Sequence, residues 1–203
     1  VGTGAGAAVT VGIKNTFVGA SAGDALIDAD YNVALGYAAL SADTYGSKST
    51  ALGVGALALQ NFTTATDSIN TAVGYEAGGA VTTGTENTLV GALSGRSTTT
   101  PAGNVAVGYG SLYLNTDGGS SVAIGRLALR NQNPATATEM YNTAVGDSSG
   151  RYITTGTNNT LVGALAGDAI TTGASNVAIG YAALSTEDAH GFNVAVGTSA
   201  LQN

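Results

Sequence analysis

The sequence predicts an all-β fold, a single parallel β-solenoid (β-roll) running over residues 1–203. Three observations predict it: a short repeat of fixed length, an alternation of period two inside each repeat, and no segment with helical periodicity. An aliphatic residue followed by glycine recurs with glycines at Gly2, Gly19, Gly36, Gly53, Gly74, Gly91, Gly108, Gly125, Gly146, Gly163, Gly180 and Gly197, at a constant spacing of 17 broken only by two gaps of 21. The long gaps, Gly53 to Gly74 and Gly125 to Gly146, are themselves offset by 72 in the numbering. Units of length 17, 17, 17 and 21 therefore form a super-repeat, of which the chain holds almost three copies.

Numbering each unit from its anchor glycine as position 0 makes the columns plain. Position −4 is Asn15, Asn32, Asn70, Asn87, Asn104, Asn142, Asn159, Asn176 and Asn193, with Ser49 and Ser121 in the remaining two units. Position −3 is Thr or Val, −1 is Val, Leu or Ile, and −2 is Ala except at Phe17, Leu89 and Leu161. Beyond the glycine, +3 is Ala or Ser and +4 runs Gly, Gly, Leu, Leu through the super-repeat, as in Gly78, Gly95, Leu112 and Leu129.

The alternation at −4 to 0 is that of a strand, with −3 and −1 on one face and −2 and 0 on the other. The aliphatic face is expected to point into the coil. The Ala/Gly face is then the one that sister chains approach, which predicts a homotrimer around a threefold axis. A second short strand is expected near +3 and +4. One unit is too short to fold alone, so copies must stack as about 12 coils in parallel ladders about 4.8 Å apart, a rod of roughly 55 Å.

Asn at −4 suits such a ladder because a carboxamide both donates and accepts. The glycine column fits either a corner with positive φ or a close approach of backbones. Val1 sits at −1 of a unit and Asn203 stops inside a turn, so the chain reads as a fragment of a longer repetitive protein, since solenoids close their ends with caps.

The first copy, to Ile69, has an irregular entry at Val9-Thr10-Val11-Gly12 and carries one four-residue insertion within Gln60 to Ile69. The second copy runs from Asn70 to Tyr141, with its insertion around Asn131 to Pro134, and the third begins at Asn142.

The net charge of −7 arises from 13 acidic and 6 basic residues, none at positions −4 to 0. Lysines and arginines so sparse and unclustered give nucleic acid no electrostatic footprint. With no cysteine there is no disulfide framework, and no apolar run is long enough for membrane insertion.

Ser-Asn-Val-Ala-Ile-Gly at 175–180, Gly-Asn-Val-Ala-Val-Gly at 103–108 and Ser-Ser-Val-Ala-Ile-Gly at 120–125 resemble the head repeats of trimeric autotransporter adhesins. Asn-Thr-Ala-Val-Gly-Tyr-Glu-Ala-Gly at 70–78 is closer still to repeats of bacteriophage tail-fibre-like proteins. The resemblance implies a left-handed β-roll assembled as a trimer, in an extracellular setting on a virion fibre or cell-surface appendage. The function expected is a fibre or shaft segment that spaces and presents a host- or surface-binding tip. The alternatives are a tailspike-like glycan-binding or glycan-degrading protein, or a self-assembling extracellular filament.

No catalytic set, metal-ligand spacing or cofactor motif recurs, so no enzyme activity and no cofactor is expected. Asp28 with Asp30, and Glu187 with Asp188, are the carboxylate pairs nearest to a glycosidase arrangement, but they read as solvated turn acids. His190, the only histidine, lies in a variable turn. Ice binding by a Thr ladder is disfavoured because Val33, Val105, Val122 and Val177 interrupt the −3 column, and because that column is expected to face inward. Contact with a host receptor or glycan has most room at the insertions, 61–68 and 131–139, about 19 Å apart along the axis. These bring Phe62, Met140 and Tyr141 forward as surface-contact candidates, beside Tyr37, Tyr75, Tyr109 and Tyr181 in the +1 column.

Overall fold

The computed structural model describes residues 1–186 and 189–202, and among them forms strands and turns with no helix. Eleven strands of three residues, at positions −3 to −1 of successive units from Thr16–Val18 to Val194–Val196, form one sheet in chain order. Every neighbouring pair is parallel and in one register: Val107 lies beside Ile124, and Ile124 beside Val145. Twelve anchor glycines thus correspond to eleven strand-bearing coils, because the unit of Gly2 begins at its −1 residue. The insertions leave this register intact, since Thr50–Leu52 pairs with Thr71–Val73 across the first of them.

The strand faces are the reverse of the sequence expectation. The −2 residues, such as Ala34, Ala51, Leu89 and Ala123, are fully buried, whereas the −1 aliphatics stand half-exposed outside, Leu35 at 48% and Ile124 at 38%. The reason is the thinness of the coil. Its interior is already filled by −4, +3, +4 and +7 side chains, among them Asn104, Ala128, Leu129 and Ile153, and where +4 is Leu it leaves the strand room for little more than a methyl group.

The expected second strand at +3 and +4 is also absent. The chain there runs through overlapping turns, in which Ala56 N–H donates to Gly53 O at 3.3 Å and Ala58 N–H donates to Gly55 O at 3.3 Å. Positive φ recurs at +2 and +4, as at Ala38 (52°) and Leu40 (53°), and the third residue of a type II turn requires that sign. Short second strands form instead where the insertions fold back: Gly46–Ser47 pairs with Thr66–Asp67, and Gly118–Gly119 with Thr138–Glu139.

At the anchor glycines both readings of the column hold together. Their φ values lie between 125° and 140°. A Cβ on Gly108 would come within 2.5 Å of the Gly125 carbonyl oxygen, and one on Gly91 within 2.7 Å of the Gly108 carbonyl carbon.

The Gly, Gly, Leu, Leu order at +4 follows from volume. A Cβ at Gly78 or Gly95 would lie 2.7 Å from a Leu89 methyl, and Gly150 and Gly167 stand in the same relation to Leu161. One large −2 side chain therefore occupies the space above and below it that two +4 side chains would otherwise take. Where −2 is Ala, Leu40, Leu57, Leu112 and Leu129 fill the interior instead.

Each ladder asparagine ties two rungs through the backbone more than through its neighbour's side chain. Asn104 N–H donates to Asn87 Oδ1 at 3.1 Å, and Asn104 Nδ2 donates to Gly118 O at 3.0 Å. Where Ser49 or Ser121 interrupts the column, a buried glutamine takes the missing carboxamide's place. Asn70 Nδ2 donates to Gln60 Oε1 at 2.8 Å, and Asn142 Nδ2 to Gln132 Oε1 at 2.9 Å. Gln60 Nε2 in turn donates to the buried Asp43 carboxylate at 2.6 Å, which also accepts the Gly46 and Phe62 N–H groups, each at 3.0 Å.

Three stability measurements test these contacts. Gly108→Ala is expected to cost well over the roughly 1–3 kcal/mol of a strained φ alone, because rungs must part, whereas Gly103→Ala, with Ser120 Oγ 3.6 Å away, should cost only about 1 kcal/mol. Leu89→Ala and Gly95→Leu should each destabilise by about 2 kcal/mol or more, and the double variant should recover at least half of their sum. Asp43→Asn keeps an acceptor for the Gly46 and Phe62 N–H groups but turns a donor toward Gln60 Nε2 and should cost about 1–3 kcal/mol, while Asp43→Leu strands all three donors and should cost more.

Candidate functional site

Two surfaces of the rod carry features that its folding does not consume. The first is the outer strand face. Its −1 column runs Val18, Leu35, Leu52, Val73, Val90, Val107, Ile124, Val145, Val162, Ile179 and Val196, every member at least partly exposed, beside a −3 column of Thr and Val. No charged residue interrupts either column across eleven rungs. The −3 column faces outward, so the expected inward facing no longer counts against ice; the valines in it, five of eleven residues with Val194 included, still do.

The second surface is the corner just past the glycine column. Tyr37, Tyr75 and Tyr109 occupy position +1 on alternate rungs, with Val54 and Ala92 between them, and are 54–62% exposed. Tyr181 stands alone four rungs above Tyr109, beyond Arg126, Asp147 and Ala164. Beside Tyr75 lies a notch of about 220 Å³, lined by Gly55, Ala58, Leu59, Glu76, Gly79 and Arg96. It is open because the +2 and +5 positions there are Gly55, Ala58 and Gly79; a Cβ at Gly55 would meet the Glu76 side chain at 3.3 Å.

Arg96 Nε donates to Glu76 Oε2 at 2.5 Å, at a partly exposed position. That hydrogen bond, aided by Tyr75, holds the Glu76 carboxyl below its ordinary range. The same carboxylate keeps the Tyr75 hydroxyl above the usual phenol range.

Three of the four arginines, scattered in sequence, fall in one column. Arg96, Tyr113, Arg130 and Arg151 share position +5 on four successive rungs. Arg130 stacks over Tyr113 at 5.3 Å, Arg151 over Tyr152 at 5.2 Å, and Arg126 Nε donates to Asp147 Oδ1 at 2.7 Å. The sequence hides this because the column is visible only after each unit is aligned on its glycine.

The insertions offer less than expected. Phe62 (6% exposed) and Met140 (0%) point inward, over Gly46 and Gly118 respectively, where the missing side chains leave room for them. Only Tyr141 of that trio is at the surface. Asp30 Oδ1 accepts the Ile13 N–H at 2.7 Å and so ties a turn, while Glu187 and Asp188 lie outside the described residues. His190 is exposed, and its carbonyl accepts the Asn176 carboxamide at 3.2 Å.

Among the predicted contact residues, then, the structure gathers Tyr37, Tyr75 and Tyr109 at the corner and leaves Tyr181 apart from them. The notch is a feature that sequence reasoning missed; the small residues at Gly55, Ala58 and Gly79 are its only trace in the sequence. Comparison of the chain with protein-family models, curated proteins and solved structures finds no match.

The phenol of Tyr75 is expected to titrate above the usual phenol range, because the Glu76 carboxylate accepts its hydrogen bond. Glu76→Gln should lower that titration toward the ordinary phenol range, as followed by NMR of the Tyr75 ring.

Proposed function

We propose that this chain is a shaft segment of a multi-chain fibre of the tail-fibre-like or adhesin-head-like kind that its repeats resemble, in which three sister chains pack through their strand faces. The observation that carries this reading is the uninterrupted pair of uncharged, half-exposed columns over eleven rungs. Isolated exposed aliphatics are ordinary on a soluble protein, but a contiguous patch of this length marks an interaction surface.

The patch is about 10 Å wide and about 50 Å long, or about 500 Å² per chain. Two such faces together reach about 1,000 Å², the lower end of specific association. Around a threefold axis each −3 column meets a neighbour's −1 column, a heterologous contact that closes after three copies. The Ala/Gly face takes no part, since it lines each coil's own interior. Rigid, evenly spaced coils then set length, and the polar turn side remains in water. An extracellular place on a virion or a cell surface is part of the same proposal.

Light scattering of the intact chain tests the assembly. The expected mass is three times 19.7 kDa, and Val107→Lys with Ile124→Lys should give a folded monomer. A monomeric unmodified chain would remove the fibre reading, and thermal hysteresis in that monomer would reassign the face to ice.

A further inference from the structure

We propose that the tyrosine corner is a saccharide-binding strip that takes a neutral, extended, β-1,4-linked hexose oligomer. Tyr37, Tyr75 and Tyr109 supply stacking platforms, and the Glu76–Arg96 pair binds hydroxyl groups from the notch.

The spacing is the first argument. Tyrosines on alternate rungs stand about 9.6 Å apart along the axis, close to the length of one disaccharide in an extended β-linked chain. The residues between them, Val54 and Ala92, are smaller and let the rings stand proud. Tyrosine offers a broad apolar face at low conformational cost. A pyranose presents a matching patch of axial C–H groups, so rings in register with every second sugar stack without bending the ligand.

The notch is the second. Arg96 commits Nε to Glu76 and keeps its terminal nitrogens as donors, while the carboxylate retains lone pairs. A donor and an acceptor side by side match adjacent hydroxyls. Because the two charges cancel, they favour a neutral ligand over an ionic one. The chain's net charge of −7 weighs against a polyanion in the same direction.

The strip has a definite extent. It covers five rungs, from Tyr37 to Tyr109, and ends where Arg126 and Asp147 replace the next tyrosine. About 19 Å separate its outer rings, which a hexasaccharide spans. The corner lies around the glycine column from the strand face, so the strip does not depend on whether sister chains cover that face.

The intact 203-residue chain is titrated with cellohexaose, chitohexaose and hexagalacturonate, following calorimetry and tyrosine fluorescence, which no tryptophan obscures. Light scattering of the same samples reports the assembly separately, so failure of the fibre reading is distinguishable from failure of the strip. At least one neutral hexamer is expected to bind saturably, with its disaccharide at least about tenfold weaker. Tyr75→Ala should weaken binding about tenfold, Glu76→Gln should also weaken it, and Tyr181→Ala should leave it unchanged, with melting curves confirming that each variant is folded. Absence of binding by both neutral hexamers would overturn the proposal. So would full binding by the Tyr37→Ala, Tyr75→Ala, Tyr109→Ala variant, or binding of hexagalacturonate alone that salt abolishes.

Discussion

At the corner of every coil the backbones of adjacent rungs approach so closely that no side chain fits between them, and the rest of the structure depends on that contact. Position 0 is glycine because it must combine a φ near 130° with a neighbour that any Cβ would strike. Once the corners are seated, the strand that ends there has one register available. Asn, Thr or Val, Ala and aliphatic residues then fall over their own kind. Extra residues are tolerated only on the far side of the coil, where both insertions lie.

The four-unit super-repeat is a property of the interior, laid over the one-unit repeat of the backbone. Phe17, Leu89 and Leu161 each fill space that flanking +4 glycines vacate, so bulk moves between columns from coil to coil while the cross-section stays filled. The long coils carry a different solution, a polar one. Their Ser at −4 leaves the ladder a carboxamide short, and Gln60 and Gln132 supply it, anchored by Asp43 and Asn115. These buried polar groups are satisfied, and their hydrogen bonds run between coils, which favours one stacking over its neighbours.

Much of this is legible in the sequence because repetition exposes columns. The solenoid class, the parallel register and the Asn and Gly ladders follow from lining up the glycines. The facing of the strand does not follow, because apolarity alone assigns the aliphatic residues to the inside. The trade between Leu89 and Gly95 points the other way, since −2 and +4 can exchange volume only if they share one cavity. The turn ribbon is hidden for a different reason. Leu40, Leu57, Leu112 and Leu129 adopt φ values near 50°, a conformation that a leucine gives no local sign of accepting; burial of the side chain offsets the strain. Phe62 and Met140 read as surface residues because they sit in insertions, and their partners Gly46 and Gly118 lie on the preceding coil, far off along the chain.

With the aliphatic columns outside, the rod carries a flat apolar side and, past the glycine column, an aromatic corner. Both surfaces inherit their spacing from the rungs. Engineered cysteine pairs test the stacking most directly, since the chain has no native thiol. The Val107→Cys, Ile124→Cys variant should close an intramolecular disulfide on oxidation, because the two residues are paired on the same outer face within the span such a bond allows. Val107→Cys with Ala123→Cys should stay reduced, and preferential closure of that second pair would contradict both the register and the facing of the sheet.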